Sequence, residues 1–145
     1  MSPRQVVVDF DVPAEVAFDY LLEPDNRPEW QSSLRAVVRT DPGPPVVGLR
    51  WLDVTVPGVR PAMEISAADR PHSWTEVGRW RGIEAELTLD YEPTVTGCRV
   101  RASFSIVGHG LLRPAGPLLG LAGLTAVGPD LKRAARILSE RSSGK

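Results

Sequence analysis

The sequence predicts an α+β domain in which a curved antiparallel sheet of about seven strands wraps around a long C-terminal helix. Two short helices follow the first strand. Three observations lead there. Between Leu34 and Val107, β-type residues alternate with polar ones and are broken by Pro/Gly turns. A helical opening, Val12-Pro-Ala-Glu, precedes that run, and Ala115 to Glu140 returns to helical spacing after it. A sheet with one apolar face must be covered, and the terminal helix is the one element long enough to cover it. A strongly curved sheet over such a helix leaves a cavity between them.

At 145 residues, 42% hydrophobic and 24% charged, the chain is long enough to bury a core as one domain, residues 1–145, with 141–145 expected as a disordered tail. A net charge of -1 argues against nucleic acid as a partner, because phosphate binding needs concentrated basic surface. Lysine occurs only at Lys132 and Lys145, and arginine supplies the other basic residues. With abundant Ala, Gly, Pro and Val, that usage points to a high-GC bacterial genome. One cysteine, Cys98, permits no intrachain disulfide and fits a reducing compartment. The N-terminus lacks the basic and long apolar regions of a signal peptide, so cytoplasm is the expected location.

Taken in order, Val6 to Asp11 reads as the first strand. Asp11 or Val12 then precedes Pro13 in the first helical turn, and Glu15 sits near the positive helix end. Val16, Phe18, Tyr20, Leu21 and Leu22 supply this helix's apolar residues, and Pro24 ends it. Asp25 to Trp30 forms a second short helix or turn, with Pro28 tolerated near its start.

Three hairpins can be registered. A turn at Thr96-Gly97 faces Tyr91 with Ala102, Leu89 with Phe104 and Leu87 with Ile106, and sets Glu92 opposite Arg101. A turn at Arg81-Gly82 faces Trp80 with Ile83, Arg79 with Glu84, Gly78 with Ala85 and Trp74 with Leu89. It also sets Glu76 opposite Leu87, on the apolar face. A third hairpin around Pro57-Gly58 puts Leu52, Val54, Met63 and Ile65 on one face together with Arg50. Trp51, Asp53 and Glu64 take the other. One concave face should therefore carry Trp74, Trp80, Leu87, Leu89, Phe104 and Ile106, with Glu84, Glu86, Arg99 and Arg101 outward.

In the terminal helix, Pro114 to Pro129 contains no charged residue, whereas Asp130 to Arg141 has a polar face opposite Leu131, Ala134, Ala135 and Leu138. An apolar-all-round segment must be surrounded by protein, lipid or ligand. This one is too short, and with Gly116, Gly120, Gly123 and Gly128 too poor in helix propensity, for a good transmembrane span. It is either a loosely packed core helix or a bent lid over the cavity, to which Leu121 and Leu124 would contribute.

Val12-Pro-Ala-Glu-Val-Ala-Phe-Asp-Tyr-Leu, Asp25-Asn-Arg-Pro-Glu-Trp30, Val47-Gly48, Asp69-Arg-Pro before a strand, and Gly110-Leu-Leu-Arg-Pro before the last helix follow one another along nearly the whole chain. Their order and spacing resemble the START-like, or Bet v 1-like, superfamily (SRPBCC), in particular its bacterial polyketide cyclase/dehydrase branch. The resemblance implies a helix-grip fold. It does not fix one activity, because the superfamily hosts lipid carriers, cyclases and stress proteins alike. It also implies that the short second helix bridges the mouth between sheet and terminal helix. Trp30 would then either close one end of the cavity or pack in the core, and both require burial.

Most familiar chemistries have no signature here. His72 and His109 are isolated, no Cys/His cluster marks a metal site, and Cys98 lacks an activating neighbour in sequence. Nucleophile elbow, phosphate loop and dinucleotide fingerprint are all missing, and no cofactor is implied. Glu76 and Arg50 stand out as polar residues on an apolar face, where each needs a partner or water. They either pair at a wet cavity edge or converge on a ligand, Arg50 on a carbonyl or carboxylate and Glu76 on a donor. Both are the catalytic candidates if a reaction occurs. The candidate ligand-binding set is Trp30, Arg50, Trp74, Glu76, Trp80, Leu87, Leu89, Tyr91, Phe104, Ile106, Leu121 and Leu124. Three functions fit: a carrier of a small hydrophobic molecule, a polyketide aromatase/cyclase or dehydratase, or an accessory module touching a membrane surface or partner peripherally, without stable insertion. The chain would act as a monomer or homodimer.

Overall fold

A computed structural model describes residues 4–56 and 58–143, excluding the side chains of Arg4 and of residues 114–125. The chain forms β1 (Arg4–Phe10), α1 (Ala14–Leu22), a short 3₁₀ turn (Pro24–Asn26), α2 (Arg27–Trp30), β2 (Leu34–Arg39), β3 (Arg50–Thr55) and β4 (Ala62–Asp69). β5 (Ser73–Trp80), β6 (Ile83–Pro93), β7 (Cys98–Gly108), a second 3₁₀ turn (Gly110–Ala115) and α3 (Gly116–Ser143) follow. The strands make one antiparallel seven-stranded sheet in the order β1-β7-β6-β5-β4-β3-β2. Every neighbour except β1 is thus joined to the next strand by a chain-adjacent connection, and β1 closes against β7.

In α1, Ala14, Ala17, Phe18, Leu21 and Leu22 recur at helical spacing and are buried, whereas Val16 is exposed. Pro13 caps the helix rather than entering its first turn: its carbonyl accepts from the Val16 and Ala17 amides at 3.0 and 3.1 Å. Phe18 meets the Tyr91 ring at a centroid distance of 5.3 Å, and the Trp74 indole N–H donates to the Tyr91 hydroxyl at 2.7 Å. Along α3, Leu131, Ala134 and Leu138 form the buried stripe that lies on the sheet. This helix extends through residues 141–143, which were expected in a tail. Arg141 instead donates to Glu29 at 3.0 Å and lies over the Tyr20 ring.

The β5–β6 register is the expected one, with Trp74 opposite Leu89, Glu76 opposite Leu87 and Trp80 opposite Ile83. Between β6 and β7 the faces are as expected but the partners move by two residues: Leu87 faces Phe104 and Leu89 faces Ala102. The reason is a longer loop. Thr94 donates to the Gly97 carbonyl at 3.0 Å, and the Thr94 hydroxyl accepts from the Gly97 amide at 3.1 Å. Gly97 is needed for close approach: a Cβ there would collide with the Phe10 carbonyl and lie 2.7 Å from the Val12 nitrogen.

The β3–β4 register departs by one residue, and every side chain on β3 changes face. Trp51 pairs with Met63 and Arg50 with Glu64, so Trp51 and Asp53 point inward with Met63 and Ile65. Gly58, at φ +97°, lets the Thr55 amide reach the Val59 carbonyl at 3.0 Å around an odd-numbered loop. Replacing Gly97 by Ala should destabilise the fold by about 1–3 kcal/mol in urea unfolding, because the Cβ meets backbone that cannot swing away. A loss below about 0.5 kcal/mol, the usual spread for surface changes, would contradict the close approach.

Candidate functional site

Three inward-facing rungs of the sheet build the cavity wall. Glu76, Leu87 and Phe104 form one; Met63, Gly78, Ala85 and Ile106 form the next; Trp80 and Ile83 belong to the third. A cavity of about 410 Å³ lies between this wall, α2 and the Ala126–Leu131 part of α3. Its lining is largely apolar: Val59, Pro61, Leu89 and Val127 add to the rungs already named. Gly78 keeps the middle rung shallow, since a Cβ there would sit 2.7 Å from the Met63 sulfur.

The polar groups converge where α2 meets the wall. Arg27 is 3% exposed, Asp53 4% and Glu76 2%. The Arg27 Nε and Nη2 donate to the two Asp53 carboxylate oxygens at 3.2 and 3.0 Å, and its Nη1 donates to Glu76 Oε1 at 2.8 Å. Trp51 supports this cluster twice. Its indole N–H donates to Asp53 Oδ1 at 2.8 Å, and the Arg27 guanidinium carbon lies 5.2 Å from its ring centroid. Trp30 from α2, Gln31 just after it and Asp130 from α3 complete this end of the cavity, with Asp130 Oδ1 accepting the Ser32 amide at 3.2 Å.

Burial pushes the Glu76 carboxyl above the ordinary glutamate value; Arg27 pulls the other way, and the Asp53 charge adds to the rise. Burial alone would lower the Arg27 pKa, but its two carboxylate partners outweigh that and hold the guanidinium charged. Two buried atoms of the site have no hydrogen-bond partner among the described residues: Glu76 Oε2 and the Trp30 indole nitrogen. Cys98 is different. It is fully buried in the core, and burial raises its thiol pKa to about 11, which suits a packing residue. Among the described residues, no three His, Cys, Asp or Glu side chains come together as a metal site would need, and no helix is long and apolar enough to cross a membrane.

Of the candidates read from sequence, Trp30, Glu76, Trp80, Leu87, Leu89, Phe104 and Ile106 line this cavity. Arg50 does not. Its side chain is 67% exposed and lies 3.6 Å from Asp41, because the one-residue shift in β3 turns it outward. Trp74 and Tyr91 are buried in the core beside α1 rather than in the cavity wall. The side chains of Leu121 and Leu124 lie outside the described residues. Arg27 and Asp53 were missed. Glu76 on an apolar face did signal a buried cation; the cation comes from the Asp25–Trp30 segment instead of from β3.

A family described as polyketide cyclase/dehydrase and lipid transport matches residues 4–142. The chain belongs to that family. Its helix-grip architecture is the START-like, or Bet v 1-like, fold. Among solved structures, protein MLL2253 from Mesorhizobium loti is 20% identical with a TM-score of 0.68, over 94% of this chain and 98% of that one. The di-domain ARO/CYC protein StfQ of the steffimycin biosynthetic pathway is 14% identical with a TM-score of 0.75; the match covers 98% of this chain and 52% of StfQ. Ara h 8.0201 is 13% identical with a TM-score of 0.70, over 94% and 97% of the two chains. At these identities the structural likeness concerns the fold alone. No curated protein matches the chain significantly.

Removing Arg27 leaves two carboxylates buried against each other. Arg27→Met should therefore destabilise the protein by about 3–5 kcal/mol near neutral pH, measured by urea unfolding. Without the cation, Glu76 keeps its burial and loses the influence that lowered its pKa, so the folded state holds its proton more tightly than the unfolded chain does. The deficit should shrink as pH falls and that carboxyl fills, and grow as pH rises. A deficit independent of pH would contradict the burial of Glu76 beside Arg27.

Proposed function

We propose that the chain binds a small, largely apolar molecule (lipid-like, aromatic or polyketide-like) in the cavity between the sheet and α3. The observation that carries this reading is the combination of apolar walls with a converging set of buried polar groups at one end. A cavity of about 410 Å³ falls in the range used for small-molecule sites, and such sites pair apolar walls with a few fixed polar contacts. Family membership supports a ligand-binding or cyclase role without naming the ligand.

Glu76 gives a second reading, as an aromatase/cyclase or dehydratase, some support. A carboxyl whose pKa burial raises, with one oxygen anchored by Arg27 and the other unpartnered, is placed as a general acid or base would be. Arg50 drops out of any such mechanism, and Arg27 is engaged by two carboxylates rather than free to polarise a substrate. Carrier is therefore the better-supported function.

Fluorescence titration with phenylnaphthylamine, an uncharged apolar probe, tests the cavity. Ala85→Phe projects a ring from the middle rung into the space and should weaken probe binding about tenfold or more (~1.4 kcal/mol), with Tm unchanged or raised. Unaltered affinity in this variant would place the probe elsewhere and contradict the reading. Turnover separates carrier from enzyme. Glu76→Gln should cut the turnover of a poly-β-ketone by about a hundredfold or more if Glu76 is an acid/base group, while a carrier shows no turnover to lose.

A further inference from the structure

The polar end of the cavity carries more carboxylate than cation, and this imbalance restricts what can bind. Arg27 commits its Nε and Nη2 to Asp53 and its Nη1 to Glu76 Oε1, and Nη2 also reaches Gln31 Oε1 at 3.4 Å. The groups facing Glu76 are Arg27 from α2 and Asp53 from β3; Asp130 from α3 lines the same cavity. Two of these three are acids, so a full negative charge on Glu76 has one cation to answer it, and that cation is already paired with Asp53. A proton on Oε2 removes the excess charge and leaves the Arg27 bond to Oε1 intact.

Glu76 Oε2 is then a hydroxyl donor without a partner. Trp30 supplies a second: its indole N–H has no acceptor, and indole nitrogen can only donate. Both residues are 2% exposed and both line the cavity. Two unsatisfied donors lining one largely apolar space call for an uncharged acceptor. We infer that the cavity selects neutral ligands carrying a carbonyl oxygen, which accepts at this polar end from the Glu76 hydroxyl or the Trp30 indole. A carboxylate-ended ligand would add a negative charge beside Asp53 and Asp130, and a pure hydrocarbon would leave both donors buried and unmade. This selectivity rests on the cavity being the binding site.

Calorimetric titration of the full chain with three naphthyl probes of similar size separates the outcomes: methyl naphthyl ketone, ethylnaphthalene and naphthoate. The ketone should bind about tenfold or more tighter than the hydrocarbon, a difference of ~1.4 kcal/mol, and naphthoate should bind weakest. As pH rises and Glu76 ionises, the ketone's advantage should fall. Glu76→Gln, whose amide still donates, should retain a ketone preference but lose its pH dependence. Trp30→Phe should remove most of the preference. Equal binding of ketone and hydrocarbon, or tightest binding of naphthoate, would overturn the selectivity while leaving the cavity as the site. Binding by none of the three would overturn the cavity reading and this inference with it. The probe comparison on the unaltered protein decides the matter even where a variant fails to fold.

Discussion

One buried guanidinium holds the functional end of this molecule together. Arg27 stands on a helix of four residues, too short to be stable by its own hydrogen bonds. Its position is set by bonds to Asp53 on β3 and Glu76 on β5, and by the Trp51 ring beneath it. Those bonds tie α2 to two strands and so place Trp30 against the cavity. Tyr20 and Arg141 reinforce the arrangement from outside, both donating to Glu29 of the same helix. Assembling such a cluster in an apolar interior brings little net stability, because desolvation offsets most of the attraction. Its consequence is geometric: neither carboxylate can move without breaking the other's partner.

The rest of the fold makes room for that cluster. Alternation along β5, β6 and β7 gives the sheet its apolar inner face, and α3 covers it with Leu131, Ala134 and Leu138. At one end, Phe18, Trp74 and Tyr91 fill the interior and close it. Further along, Ala85 adds little bulk to the wall and Met63 packs over Gly78, so the cavity stays open beside the Glu76 rung. The space is thus a property of side-chain size on particular rungs. Related folds can share the frame and hold different molecules, which is why likeness to ARO/CYC domains and to Ara h 8.0201 fixes architecture before activity.

Much of this was legible in the sequence. The β5–β6 hairpin was readable because Arg79–Glu84 and Trp74–Leu89 satisfy charge and burial in only one register. On β6–β7 the two-residue shift preserved every face, so Phe104 and Ile106 were still placed inward. At β3–β4 an odd-numbered loop with Gly58 at positive φ reversed the faces, hiding Asp53 and promoting Arg50. Arg27 was illegible for a different reason. A charged residue in a Pro-containing surface-like segment reads as solvated, and only a tertiary contact with strands 26 and 49 residues away buries it.

The central claim is that burial outweighs Arg27 at Glu76, so this carboxyl holds its proton more tightly than a solvated glutamate does. Carbon-13 NMR titration of the assigned Glu76 side-chain carboxyl measures this directly. Its midpoint should lie above the ordinary glutamate value of 4.5 in the unaltered, ligand-free protein. A midpoint at or below 4.5 would mean that the guanidinium dominates and that Glu76 meets a ligand as an acceptor rather than a donor.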